Sequence, residues 1–175
     1  MNYYIGVDVG TGSVRAALFN SNGELIKIAT NPIETFNSLP DFYEQSSEDI
    51  WESVKRVIKS VINGTPKEQI KGIGFDGTCS LVLLDANGQP VTASLDGDDK
   101  RNVILWLDHR AEAEANLINM IGHDVLKYVG GKVSLEMEIP KILWIKKNLP
   151  ESWRRAKLMF DLPDFLTWKA TGSES

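Results

Sequence analysis

The sequence predicts a mixed α/β layer fold, and three features of it carry that expectation. Two apolar runs, Tyr3–Val9 and Val14–Phe19, flank a short Gly10-Thr11-Gly12-Ser13 turn, and a third run at Leu25–Pro32 follows an Asn22-Gly23 turn. Ile50, Trp51, Val54, Val57, Ile58, Val61 and Ile62 then recur at the helical period. The remainder alternates short strand-like and helix-like segments. A strand meander followed by such an alternation buries its apolar faces as helices layered on a mixed sheet.

The elements can be taken in order. Gly10 and Gly12 carry no β-carbon, so the first turn is free to take positive φ. In Asn20-Ser21-Asn22-Gly23 the Asn-Gly pair is expected to supply the positive φ values of a hairpin turn. Residues 31–43 form a polar, proline-containing loop. Ser46 with Asp49 resembles a capping box at the start of the helix that carries the apolar stripe, and Asn63-Gly64 ends it. Ile70–Phe75 is a fourth strand running into Asp76-Gly77-Thr78-Cys79-Ser80. Leu81–Leu84 is a strand leading to a second Asn-Gly turn at Asn87-Gly88, and a charged loop covers Asp96–Asn102. A short strand at Val103–Leu107 delivers Trp106-Leu107-Asp108-His109-Arg110, and a helix spans Ala111–Ile121. Gly130-Gly131 breaks the chain before a helix at Pro140–Asn148 anchored by Ile142, Leu143 and Ile145. A last strand at Lys157–Phe160 and a last helix at Pro163–Thr171 close the pattern.

Composition excludes several classes. The 175 residues suggest about one domain, large enough to bury roughly 70% of its unfolded surface. The net charge of -5 disfavours nucleic acid as the main partner, because phosphate backbones attract basic surfaces. Cys79 is the one cysteine, so no internal disulfide forms and a reducing cytoplasm is the expected compartment. No basic n-region precedes the first strand, and no apolar run approaches the length of a membrane span. The segment Asp161–Ser175 has no domain-ending character, which suggests a piece of a longer protein.

The chemistry is concentrated in a few places. Asp8 ends an apolar strand, where a carboxylate can hold a hydrated Mg²⁺. Gly10 and Gly12 admit an anion to the backbone, and Thr11 and Ser13 add hydroxyl donors. The alternative is a plain hairpin whose glycines serve only the turn. The segment has neither the lysine-bearing spacing of a P-loop nor the helix and spacing of a dinucleotide fingerprint. Arg15 lies on the second strand, suited equally to a phosphate contact or a salt bridge. Asp76 is either a second strand-end carboxylate or an organiser of the Gly77-Thr78 turn, and the turn role is the preferred one. Trp106 can stack on the apolar face of a polyol while Asp108 and Arg110 hydrogen-bond its hydroxyls. The competing reading puts Trp106 in the core and Asp108 at the cap of the next helix. His109 is a substrate contact or a surface residue, and Trp51, Trp144, Trp153 and Trp168 are read as packing. Lys141 stands near a helix start, unfavourable for a cation, and is read as solvated.

Three motifs taken together, Asp8–Arg15, Gly74–Ser80 and Trp106–Ala111, resemble the N-terminal lobe of the FGGY-family carbohydrate kinases. Residues 129–141 and 160–166 fit as well, and the D-ribulokinase-like branch is the most similar. The element order matches the ribonuclease-H-like core shared by actin, hexokinase and sugar kinases. The resemblance implies ATP-dependent phosphorylation of a sugar or polyol hydroxyl, with a pentulose such as D-ribulose as the substrate and Mg²⁺ as the metal. It implies Asp8 on the metal side, Gly10, Thr11, Gly12, Ser13 and Arg15 on phosphate, and Thr78, Cys79, Trp106, Asp108, His109 and Arg110 around the sugar. Residues 1–175 would be most of the core of the first lobe, with the remainder of that lobe and a second lobe absent. The full-length protein is expected to be a homodimer.

The catalytic base is expected beyond Ser175, so this stretch alone is expected to be inactive. The competing function classes are a ribonuclease-H-like two-metal nuclease using Asp8 and Asp76, and a non-catalytic actin-like nucleotide-binding scaffold. The nuclease predicts a basic face and a larger acidic cluster, and the acidic composition speaks against it.

Overall fold

The computed structural model describes residues 1–172. In chain order the strands are β1 (Tyr3–Val9), β2 (Ser13–Asn20), β3 (Leu25–Pro32), β4 (Glu44–Gln45), β5 (Ile70–Gly77), β6 (Leu81–Leu84), β7 (Val103–Ile104) and β8 (Leu158–Asp161). The α-helices are α1 (Ser47–Ile62), α2 (Glu112–Ile121), α3 (Glu138–Asn148), α4 (Pro150–Arg155) and α5 (Leu162–Thr171). Length alone suggests about one domain. The chain instead forms two compact units, each assembled from separate segments. Ser173–Ser175, part of the closing segment, lie outside the described residues. Among the described residues no helix is long and apolar enough to cross a membrane.

The first unit comprises residues 1–35, 48–78 and, among the described residues, 163–172. Its sheet has the order β3-β2-β1-β5, antiparallel through the meander and parallel where β5 joins β1. Strand alternation puts Ile5, Val7 and Val9 of β1 and Val14, Ala16 and Leu18 of β2 on the buried face. Asp8 and Arg15 fall on the opposite face because their positions are odd relative to that set. Ile50, Val54, Val57 and Val61 of α1 are buried, as the apolar stripe predicts. Asp49, expected as half of a capping box, accepts a hydrogen bond from the Glu34 amide. In the Asn20–Gly23 turn only Gly23 takes positive φ (81°), while the Asn20 side-chain oxygen accepts from the Asn22 and Glu24 amides.

The second unit comprises residues 36–47 and 79–162. Its sheet has the order β4-β7-β6-β8, and every pairing is antiparallel. Leu81, Leu83, Val91, Ala93, Ile104, Ala111, Trp144 and Ile145 form its core, with Phe42 and Trp153 packed against it. A satellite cluster of Ala115, Leu126 and Val133 lies under the loop around Gly130-Gly131. Strand β7 stops at Ile104, three residues before the expected end at Leu107. Beyond it the amides turn inward, with Leu105 donating to the Tyr43 carbonyl and Asp108 to the Leu105 carbonyl. Two short elements escaped the sequence pattern: the two-residue β4 and the α4 turn that Pro150 opens.

Candidate functional site

In the first unit the strand register builds the candidate phosphate end. Asp8 lies opposite Arg15 on β2 and alongside Asp76 on β5. The Arg15 guanidinium stands 3.3 Å from the Asp8 carboxylate, and both side chains are half exposed. Both readings of Arg15 therefore remain open to it, because an exposed pair of this kind contributes only about 0–1 kcal/mol and can be exchanged for another anion. The turn closes through the Gly10 amide, which donates to the Ser13 carbonyl at 3.0 Å. Contrary to expectation, neither Gly10 nor Gly12 takes positive φ. Gly10 serves space instead, since a β-carbon there would meet the Arg15 guanidinium at 2.5 Å. Asp76 is exposed and lies within strand β5, which extends to Gly77, two residues past the expected end at Phe75. The Thr78 amide donates to the Val9 carbonyl, continuing the β1 pairing by one residue.

The donor set bears on the metal. Among the described residues no group of three or more His, Cys, Asp or Glu side chains is placed to hold a metal ion. A two-metal nuclease centre needs such a group. A hydrated Mg²⁺ carried on a nucleotide needs only one or two carboxylates, and the half-exposed Asp8 near the end of β1 fits that requirement.

In the second unit the Trp106–Arg110 segment is held from beneath by a buried cluster. Asp108 is fully buried, and its carboxylate accepts from the Tyr43 amide at 2.6 Å, the Arg110 amide at 3.0 Å and the Arg110 side chain. The Arg110 guanidinium also donates to Glu44 at 2.8 Å and to the Ala93 carbonyl at 2.8 Å, and it lies 4.1 Å from the centre of the Phe42 ring. Burial pushes the Glu44 carboxyl above its ordinary value against the pull of Arg110. This corrects two expectations. Asp108 and Arg110 are spent on one another and on the framework, with no exposed side-chain surface for a sugar hydroxyl. Nor does Asp108 cap the next helix, whose N-cap is Ala111. Glu44 was invisible as a partner because it lies 66 residues from Arg110 in the sequence.

Trp106 and His109 keep surface open to solvent at this segment. Trp106 is half-buried, and its amide donates to the Ser80 hydroxyl at 3.3 Å. His109 is exposed, with its amide on the Asp41 carbonyl. Cys79 is exposed, yet partial burial and the nearby Glu138 and Asp161 carboxylates raise its thiol pKa, which keeps it protonated and a poor nucleophile. Among the packing tryptophans, Trp144 is buried in the core cluster and Trp153 packs against it.

Lys141 reverses its expectation. It has no exposed surface, and its Nζ donates to the carbonyls of Leu105 at 2.7 Å, Trp106 at 3.1 Å and Glu136 at 2.9 Å. Burial lowers its pKa to about 8, opposed by Asp108, Glu138 and Cys79 and assisted by Arg110. An ammonium has three protons, so three carbonyls satisfy it where a helix start alone does not. Its position against the helix dipole was the available signal.

The model of the FGGY family of carbohydrate kinases, N-terminal domain, matches residues 3–175. An FGGY carbohydrate kinase domain-containing protein of Homo sapiens is 54% identical over 171 residues, covering 97% of this chain and 31% of that protein. A D-ribulokinase of Saccharomyces cerevisiae is 45% identical over 177 residues, covering 99% of this chain and 25% of that protein. The chain thus spans about a third or less of the length of these curated relatives. Among solved structures, a xylulose kinase from Lactobacillus acidophilus superimposes with a TM-score of 0.84 at 20% identity, covering 99% of this chain and 34% of that one, which shows the fold.

Proposed function

The chain belongs to the FGGY family of carbohydrate kinases, and on that premise we propose that the full-length protein transfers the terminal phosphoryl group of ATP to a hydroxyl of a sugar or polyol. A pentulose of the D-ribulose type is the proposed substrate, supported by the 45% identity to a D-ribulokinase across nearly the whole chain. The observation that carries the reading is the β1–β2 hairpin, where a half-exposed carboxylate and guanidinium flank a glycine turn that is open at Gly12. Residues 1–175 would supply most of the core of the N-terminal lobe, and the base that takes the hydroxyl proton is assigned to the protein beyond Ser175.

In this reading Gly10, Thr11, Gly12 and Ser13 present amides and hydroxyls to phosphate oxygens, and Arg15 exchanges Asp8 for a phosphate. Asp8 then holds Mg²⁺ through water. Bound there with ATP, the metal supplies neutralisation of the charge that develops on the transferred group. Trp106 offers an aromatic platform to the carbon face of the sugar, and Thr78, Cys79 and His109 offer polar contacts to its hydroxyls. Asp108 and Arg110 act underneath, by fixing the segment that carries Trp106 and His109. A homodimeric, cytoplasmic enzyme without a nucleic-acid partner completes the proposal, consistent with the single cysteine and the acidic net charge of -5. The test is ADP release by the full-length protein against a panel of pentuloses and polyols, with release that depends on the sugar as the expected result.

A further inference from the structure

Strand β7 ends at Ile104, so the carbonyls of Leu105 and Trp106 leave the sheet. Buried carbonyls must find donors, and beyond the Asp108 amide, which donates to the Leu105 carbonyl, a side chain must supply them here. The Lys141 ammonium does so, from α3, across 36 residues of sequence to Leu105 and 35 to Trp106. Its third proton goes to the Glu136 carbonyl, which ties the turn before α3 to the same nitrogen. One buried cation thus fixes both the peptide that carries Trp106 and the entry to the helix that supplies the lysine.

We propose that Lys141 is a positioning residue for the sugar platform: its ammonium sets the Trp106 ring through the Leu105 and Trp106 carbonyls, and loss of one proton releases that setting. The proposal rests on the kinase reading for its activity consequence, though not for its structural one. A neutral amine offers two donors to three carbonyls, so deprotonation leaves at least one of them without its partner. The proton goes to solvent hydroxide. The titratable groups that face Lys141 are Asp108 and Arg110 on the Trp106 segment, the Cys79 thiol, and Glu138 on its own helix. Three of these favour the charged lysine and Arg110 opposes it, yet burial brings the pKa down to about 8, within reach of ordinary assay conditions. Displacing a binding group by as little as ~1 Å can cost up to ~100-fold in an enzyme.

The experiment uses the full-length protein. In the wild type, kcat/KM for the pentulose should fall above about pH 8 and level off about tenfold lower once the lysine is neutral. Lys141→Met should raise KM for the sugar by about tenfold with kcat changed far less, and should lack that falling limb. Lys141→Arg keeps its charge at every accessible pH, so whatever its activity it should also lack the limb. Wild-type KM and an unchanged limb in both variants would overturn the proposal.

Should the variants not fold, hydrogen exchange on the wild type decides. After correction for hydroxide, protection of the Trp106, Asp108 and His109 amides should fall between pH 7 and 9.5, and constant protection overturns the proposal. That measurement needs no substrate. An absence of sugar-dependent ADP release would therefore count against the kinase reading while the exchange result still decides the role of Lys141.

Discussion

The Nε of Arg15 lies 3.3 Å from the carboxylate of Asp8, across a hairpin whose register sets the two residues directly opposite one another. The pair is half exposed on both sides, so it holds the two side chains near the turn without locking them there. Replacing Arg15 by Ala should leave stability within about 0.5 kcal/mol of wild type while lowering kcat/KM for ATP by roughly 10- to 100-fold. Denaturant titration together with kinetics at varied ATP separates those two effects in the full-length protein.

Asp8→Asn keeps the shape of the side chain and removes its charge. It should depress kcat by about 100-fold or more and shift activation to higher Mg²⁺ concentration. A Mg²⁺ titration of ADP release reads both.

Arg110→Ala should destabilise the protein by about 3–5 kcal/mol, because it leaves Asp108 and Glu44 buried without their shared cation. Arg110→Lys should rescue only part of this, since a point charge cannot reproduce a fork that reaches Asp108, Glu44 and the Ala93 carbonyl together. Urea unfolding, scored by midpoint, checks both variants.

Lys141 should leave its mark on stability against pH. Below about pH 8 it is protonated whether the chain is folded or unfolded, and above its ordinary 10.5 it is neutral in both. Between these values the unfolded chain binds the extra proton, so this group makes stability rise with pH, by at most about 3 kcal/mol over the whole interval. Lys141→Met should lack that rising component. Urea midpoints taken from pH 7.5 to 10 in the two proteins give the comparison.

Trp106→Ala should raise KM for the sugar by roughly tenfold and leave KM for ATP within twofold, as loss of a stacking face worth about 1 kcal/mol requires. Trp106→Phe should recover much of the loss.

Much of the fold was legible because it depends on local pattern. The bounds of β1, β3 and β6 follow from runs that stop at Gly10, Pro32 and Asp85. The α1 stripe declares its buried face by period alone. What was not legible depends on distance. The two-residue β4 is a strand only because Glu44 and Gln45 pair with Ile104 and Val103. The buried cluster of Glu44, Asp108 and Arg110 joins residues from separate segments, so a polar Asp-His-Arg run looked like a set of substrate contacts. Lys141 looked solvated because the carbonyls that hold it come from a strand that ends early, which no local signal announces. The motif pattern at the β1–β2 turn was readable, but the role of Gly10 was not, since its reason is the Arg15 guanidinium and not its own φ.

ADP release by the full-length protein decides whether this chain is part of a sugar kinase. Assayed with ATP and Mg²⁺ against pentuloses and polyols, the protein should release ADP only when a sugar is present, fastest with a pentulose of the ribulose type. Residues 1–175 alone should release none under the same conditions. ADP release that no sugar stimulates, or none with any member of the panel, would contradict the account.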